Sequence, residues 1–234
     1  MHLNDDLSRL VTVQAGTLAW MPSPIAGVDR RMLYRVGGEV ARATSVVRYA
    51  PGSAFPAHPH PGGEEILVLD GTLQDEHGDY PAGTYFRNPP GTRHSPAAAN
   101  GCTILVRLWQ FRAGDRKQIV RRPGEGEAAP LRDGASAARL LFDDGAERVV
   151  IEDWKPGATV TIPNRRGLEQ FIISGHLIQD GEVLAPYGWC RLPVEHDFAA
   201  VVGLEGASLW IKDAPLQHPD ILPIPERTRE GTNQ

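Results

Sequence analysis

The sequence predicts an all-β protein built as two β-barrels in tandem. Three observations predict it. Short runs of β-branched and aromatic residues alternate with Gly and Pro turns, no long segment carries helical periodicity, and turn residues recur at a shift of 105 positions. The chain holds 25 Gly and 20 Pro in 234 residues without a Gly-X-Y period, the composition of many short strands joined by tight turns.

Taken in order, Leu7 to Val11 is expected to form a short turn of helix. Strands are expected at Thr44 to Tyr49, Ile66 to Leu69, Thr84 to Arg87 and Thr103 to Phe111, and again at Arg148 to Trp154, Gln170 to Ile173 and Ser208 to Lys212. The repeat relates the two groups. Pro51-Gly52 returns as Pro156-Gly157, Gly83 as Gly188, and Val106-Arg107 as Ile211-Lys212, all at 105 residues. Arg31 to Tyr34 is echoed by Arg139 to Phe142, and Gly71 pairs with Gly175 one residue short of the shift. The reading is a first barrel over 1–118, a Pro/Gly/Glu-rich exposed linker over 119–135, a second barrel over 136–215 and a Pro-rich surface tail over 216–234.

A net charge of −5 argues against nucleic acid as partner, and Arg121-Arg122 is too short a basic run to change that. Two cysteines cannot build a disulfide framework, and Cys102 reads as a small buried apolar residue. The first residues lack a positively charged start and an apolar core, so no signal peptide is expected, and no apolar run approaches the ~20 residues that span a bilayer. A cytoplasmic protein with no membrane partner is the expectation.

Chemistry concentrates in the first barrel. From Gly52 the chain reads GSAFPAHPHPGGEEILVLDG, which places His58, His60 and Glu64 before Gly71; from Gly83 it reads GTYFRNPPGTRH, ending on His94. Side chains two apart on a strand share a face, so His58 and His60 point the same way. Glu64 follows a Pro-Gly-Gly reversal, and His94 arrives from another strand. Three imidazoles and a carboxylate converging on one point suit one divalent zinc, iron, manganese, nickel or cobalt ion rather than magnesium or calcium. The Gly62-Gly63 and Pro89-Pro90-Gly91 turns are expected to keep bulky groups away from the approach, leaving the ion an open position. His2, His77, His176, His196 and His218 have no partners at ligand spacing and read as neutral or structural.

Shifted by 105, the four ligand positions fall on Pro163, Arg165, Glu169 and Ala199. On that alignment only the carboxylate survives, the second barrel carries no metal, and Arg165 takes the cation's place beside Glu169. Its roles would be packing on the first barrel, covering an edge strand, or forming an oligomer interface such as a homodimer.

The two motifs are those of the cupin superfamily, and the wording around them, from Trp20 to about Phe111, resembles the ChrR-type cupins: ATSVVRYAPGS, GGEEILVLDG, GTYFRNPPGTRH and GCTILVRL. The second motif departs by carrying Ala98 where Asn often stands. The resemblance implies two jelly-roll (RmlC-like) barrels and, as in the ChrR anti-sigma factors, zinc on His58, His60, Glu64 and His94. Those anti-sigma factors hold the sigma factor through a separate helical zinc domain with a His-Cys-Cys cluster. No cysteine precedes Cys102 here, so sigma binding by that route is not expected. Other cupins similar to this one are dioxygenases that cleave carbon–carbon bonds of β-diketones or dihydroxyacetophenones, usually with iron. That likeness would make Tyr49, Phe55, Tyr85 and Trp109 the pocket wall. Three functions follow: a sensing or binding module for a small molecule or oxidative signal, a metal-dependent dioxygenase, and a barrel that holds metal only for stability.

Overall fold

A computed structural model describes residues 1–225; the last part of the expected tail, 226–234, lies outside the described residues. The described chain is built from antiparallel strands with a single 3-10 turn at Ala15–Thr17. The largest sheet runs Val28–Gly37, Ala41–Tyr49, Cys102–Leu108, Glu64–Asp75, Tyr85–Asn88 in spatial order. The second runs Ala135–Asp143, Arg148–Trp154, Phe198–Asp213, Leu168–Gln179, Gly188–Leu192, the same path in the same order of use. Sequence-level repetition is therefore repetition of topology, and the all-β tandem fold stands.

The ends of each unit depart from the expected boundaries. Leu7 to Val11 is not a turn of helix: a turn and bend over 7–9 lead into the strand Val11–Gln14, which pairs with Gly188–Leu192 at the edge of the second sheet. Its alternating Val-Thr-Val is stiff at the side chain and fits a pleated edge better than a helix. Ile119–Arg121, inside the expected linker, extends the first sheet by pairing with Tyr85–Asn88, while Glu127–Ala128 pairs with Ala135–Asp143. Each sheet thus ends on a strand of two or three residues, too short to template aggregation well. The tail also returns to the first unit, where Ile221 bridges Arg112.

Because strand side chains alternate, each central strand faces two cores. Ile66, Val68, Phe86, Ile104 and Val106 fill the first barrel. Ile162, Leu168, Ile172, Leu192, Phe198 and Leu209 fill the second. A third core lies between the sheets, where Leu33, Val46, Leu67 and Leu105 meet Leu141, Val149, Phe171 and Trp210. Within it runs a chain of buried charges. Glu65 meets Arg107 at 2.6 Å and Lys212 at 3.0 Å; Lys212 reaches Glu147 at 2.5 Å; Arg87 bonds Asp115 at 2.8 Å and lies 3.3 Å from Glu147. His218, read from the sequence as neutral or structural, takes a structural place here, buried with Nε2 2.6 Å from Glu147.

Candidate metal centre

His58 sits on the two-residue strand His58–Pro59, which pairs with Arg93–His94 so that His58 and His94 are directly opposite. His60 follows one residue on, and Glu64 opens the long strand Glu64–Asp75. Between them the turn bends so tightly that a Cβ on Gly62 would stand 2.1 Å from the Trp109 ring. Glycine is thus required for Trp109 to lie flat on the turn. This corrects the expectation at Gly62-Gly63, which admit Trp109 and Phe111 instead of clearing an approach; the space beside Gly91 is open.

The four side chains converge. One ligand atom from each of His58, His60, Glu64 and His94 lies within 4.8 Å of every other, and His60 Nε2 and His94 Nε2 are each 3.4 Å from Glu64 Oε2. Two bonds of about 2.1 Å to one ion subtend roughly this separation. The rings stand edge-on to one another, with centroids 4.7 to 5.3 Å apart. His60, Glu64 and His94 are buried, and His58 forms the exposed rim.

Hydrogen bonding fixes which nitrogen faces inward. Thr92 Oγ1 donates its only proton to the Pro89 carbonyl at 2.8 Å, so it can only accept from His60 Nδ1, 3.0 Å away. His60 Nε2 is left with a free lone pair. His58 Nδ1 faces the Pro56 carbonyl at 3.3 Å, an acceptor that likewise demands a proton on Nδ1. His60 Nε2 and Glu64 Oε2 are buried with no hydrogen-bond partner among the described residues. Burying such atoms without a partner is costly, and a cation would satisfy both.

Electrostatics point the same way. Burial pushes the Glu64 carboxyl up to about 7, with the Asn88 amide offsetting part of the rise. Burial, then the neighbouring His94 and His58, pulls the His60 imidazole down to about 3. Burial and His58 lower His94 as well, against the opposing pull of Asp75. A neutral imidazole and a carboxylate short of positive charge are what a divalent ion requires. The donor set fits a nitrogen- and oxygen-liking transition metal.

Other expected site residues divide. Tyr49 and Phe55 pack together on the barrel side, ring centroids 5.4 Å apart, and Tyr49's phenol is raised by burial first and by Glu64 next. Tyr85 faces the other way: its hydroxyl donates to Glu65 at 2.5 Å in the core between the barrels. Asn88, Thr92 and Asp75 contact the cluster and were not singled out by spacing. Asn88 and Thr92 both lie inside the second motif, but nothing in the sequence marks Asp75.

The second barrel corrects the 105-residue alignment. Glu64 lies opposite Leu108 and Asn88, while Leu168 lies opposite Asp213 and Leu192. The equivalent of Glu64 is therefore Leu168, at a shift of 104, and Glu169 corresponds to Glu65. A one-residue slip in a strand moves the side chain to the opposite face. Glu169 faces the interface, where it meets Arg107 at 3.0 Å and accepts from Trp189 at 2.9 Å. Arg165 does not approach it: its side chain is 73 % exposed and lies 3.8 Å from Asp197. By the same registers His58 and His94 correspond to Ile162 and Phe198, a directly opposed apolar pair. Asn164 takes the place of His60, and its amide nitrogen donates to the backbone carbonyls of Leu192, Pro193 and His196.

Comparison with known proteins agrees with this architecture. Residues 8–112 match the family model of the ChrR cupin-like domain. No curated protein sequence matches the chain. Among solved structures, a putative dioxygenase from Nostoc punctiforme superposes with a TM-score of 0.69 at 16% identity, covering 94% of this chain and 88% of its own. A bacterial pirin from Escherichia coli in complex with nickel(II) gives 0.66 at 14% identity, over 88% of this chain and 99% of its own. A Bacillus subtilis oxalate decarboxylase variant gives 0.56 at 14% identity, over 90% and 78%. At such identities the likeness concerns the fold alone. The chain carries a cupin-type domain, within a tandem cupin fold whose first barrel holds a His/His/Glu/His cluster that could bind a metal.

Proposed function

We propose that this protein binds one divalent transition metal through His58, His60, Glu64 and His94, and serves as a ChrR-like sensing or binding module for a small oxygen-bearing molecule or oxidant. The observation that carries the reading is the convergence of three imidazoles and one carboxylate, with His60 Nε2 and Glu64 Oε2 buried and without a hydrogen-bond partner among the described residues. The bound ion would supply Lewis acidity and an attachment point for a ligand oxygen. The chain's own residues do the rest. Thr92 and the Pro56 carbonyl hold their imidazoles with Nε2 inward, Asn88 steadies the Glu64 carboxyl, and the exposed rim at His58 admits a ligand from solvent. The second barrel, with Ile162, Leu168 and Phe198 at the matching positions, stays metal-free and braces the first.

Metal-dependent dioxygenation is the second reading. It is favoured by the Tyr49–Phe55 pair on the barrel side, an apolar aromatic wall suited to a diketone or hydroxylated aryl ketone. Elemental analysis of protein purified without added metal tests the common core: one ion per chain is expected in wild type and none in a His58→Ala/His60→Ala variant. Equal content in both refutes it. Iron(II) reconstitution and O₂ uptake with β-diketones and hydroxylated aryl ketones then separates enzyme from sensor, since only the former consumes O₂.

A further inference from the structure

We infer that Asp75 is the outer carboxylate of the centre, a positioning residue that holds His94 in the tautomer that ligates and sets its affinity for the metal. The inference rests on the metal reading above. Asp75 ends the strand that Glu64 begins, eleven residues away, and a straight strand would separate them by roughly 36 Å. Both nevertheless reach the same imidazole: His94 Nε2 is 3.4 Å from Glu64 Oε2, and His94 Nδ1 is 3.4 Å from Asp75 Oδ2. The strand manages this by bending at Gly71, whose φ of +70° brings the chain so close to the next strand that a Cβ would lie 2.3 Å from the Gly101 carbonyl oxygen.

The aspartate is itself held. Its side chain is 5 % exposed, and Oδ1 accepts from the Tyr80 hydroxyl at 2.9 Å and from the His77 backbone N–H at 2.7 Å. Those bonds leave Oδ2 aimed at His94. His94 Nδ1 is buried and has no hydrogen-bond partner among the described residues at the 3.4 Å spacing, so Asp75 is the acceptor within reach as the ring settles onto an ion. Metal-bound histidines commonly donate their second N–H to such a carboxylate, which fixes the tautomer and strengthens the ligand.

The second barrel supplies an internal comparison. The same bend occurs at Gly175, and the residue matching Asp75 is Gln179, whose side-chain oxygen has no partner among the described residues where the histidine is replaced by Phe198. The carboxylate occurs in the barrel that has the histidine.

Nickel(II) titration against a competing chelator, with wild type, Asp75→Asn and Tyr80→Phe, tests the idea alongside ¹⁵N ring spectra of His94 in metal-free protein. Asp75→Asn should bind nickel about 10–100-fold more weakly, and its His94 should lose the single Nδ1–H tautomer expected of wild type. Tyr80→Phe, which frees one of Asp75's two bonds, should shift both readouts in the same direction by less. Nickel affinity within twofold of wild type in both variants, with the tautomer unchanged, would overturn the inference. Should wild type bind no metal, the metal reading fails by itself, and the tautomer comparison still decides the role of Asp75.

Discussion

Replacing Lys212 by Met should destabilise the protein by about 3–5 kcal/mol at pH 7, the usual cost of removing one partner from a buried ion pair. Lys212 Nζ stands 3.0 Å from Glu65 and 2.5 Å from Glu147, with all three side chains at most 3 % exposed. Burial alone would raise the Glu65 carboxyl, but Lys212 and then Arg107 overcome it and hold the group at about 2 instead of 4.5. At ~1.4 kcal/mol per pH unit, that displacement corresponds to about 3 kcal/mol. Because the folded value is depressed, the stabilisation is complete above pH 4.5 and fades as pH falls toward 2.

With Met at 212, burial regains ground over the remaining Arg107 and Arg87, and the acids become costly while ionised. The deficit should therefore be largest near neutrality and shrink by pH 4 as the carboxyls take up protons. Urea denaturation at pH 7, 5.5 and 4 measures it as a shift in midpoint at constant slope. Adding Glu65→Gln and Glu147→Gln should recover part of the loss, since the uncompensated charges are then gone. A deficit under 1 kcal/mol, the range of exposed pairs, or one independent of pH, would refute the reasoning.

Metal affinity should fall as pH drops below about 7, because the Glu64 carboxyl, raised to about 7 by burial, must release its proton to ligate; calorimetry in buffers of different ionisation enthalpy counts that proton, and a pH-independent affinity would contradict it. Phe198→Ala should cost about 3–5 kcal/mol, as for a fully buried aromatic, while leaving metal content unchanged; loss of metal would show that the second barrel contributes to binding. Arg165→Ala should stay within about 0.5 kcal/mol of wild type, because that side chain reaches only an exposed partner.

The candidate centre was legible because three of its four residues fall within seven positions and the fourth ends a recognisable turn motif. Local spacing on strands and turns fixes which way such side chains point. What the sequence hid depends on register and bending. A shift of 105 matches the turns around 51 and 156, yet the strand Glu64–Asp75 corresponds to Leu168–Gln179 at 104, and that single residue exchanges Glu64's counterpart from Leu168 to Glu169. Every inference about Arg165 inherited the slip. Asp75 was hidden differently, since it reaches His94 only through the bend at Gly71. Val11–Gln14 was too short to declare itself as a strand before its partner was known.

The doublet Glu64-Glu65 shows how one strand serves both ends of this design. Glu64 faces the first barrel, where no Lys or Arg among the described residues meets it and burial drives its carboxyl up to about 7. Glu65, one step on, faces the second barrel, where Lys212 and Arg107 hold its carboxyl near 2. The strand carries a candidate ligand at its start and the aspartate facing His94 at its end, while its other face is clamped by charges from both barrels. Its position is thus fixed by contacts outside the cluster, and a cluster of four side chains tolerates displacements well under an ångström before ligation suffers. Two neighbouring carboxylates of identical chemistry therefore divide the work by orientation alone: one is left in want of a cation, and the other is satisfied by Arg107 of its own barrel and Lys212 of the second.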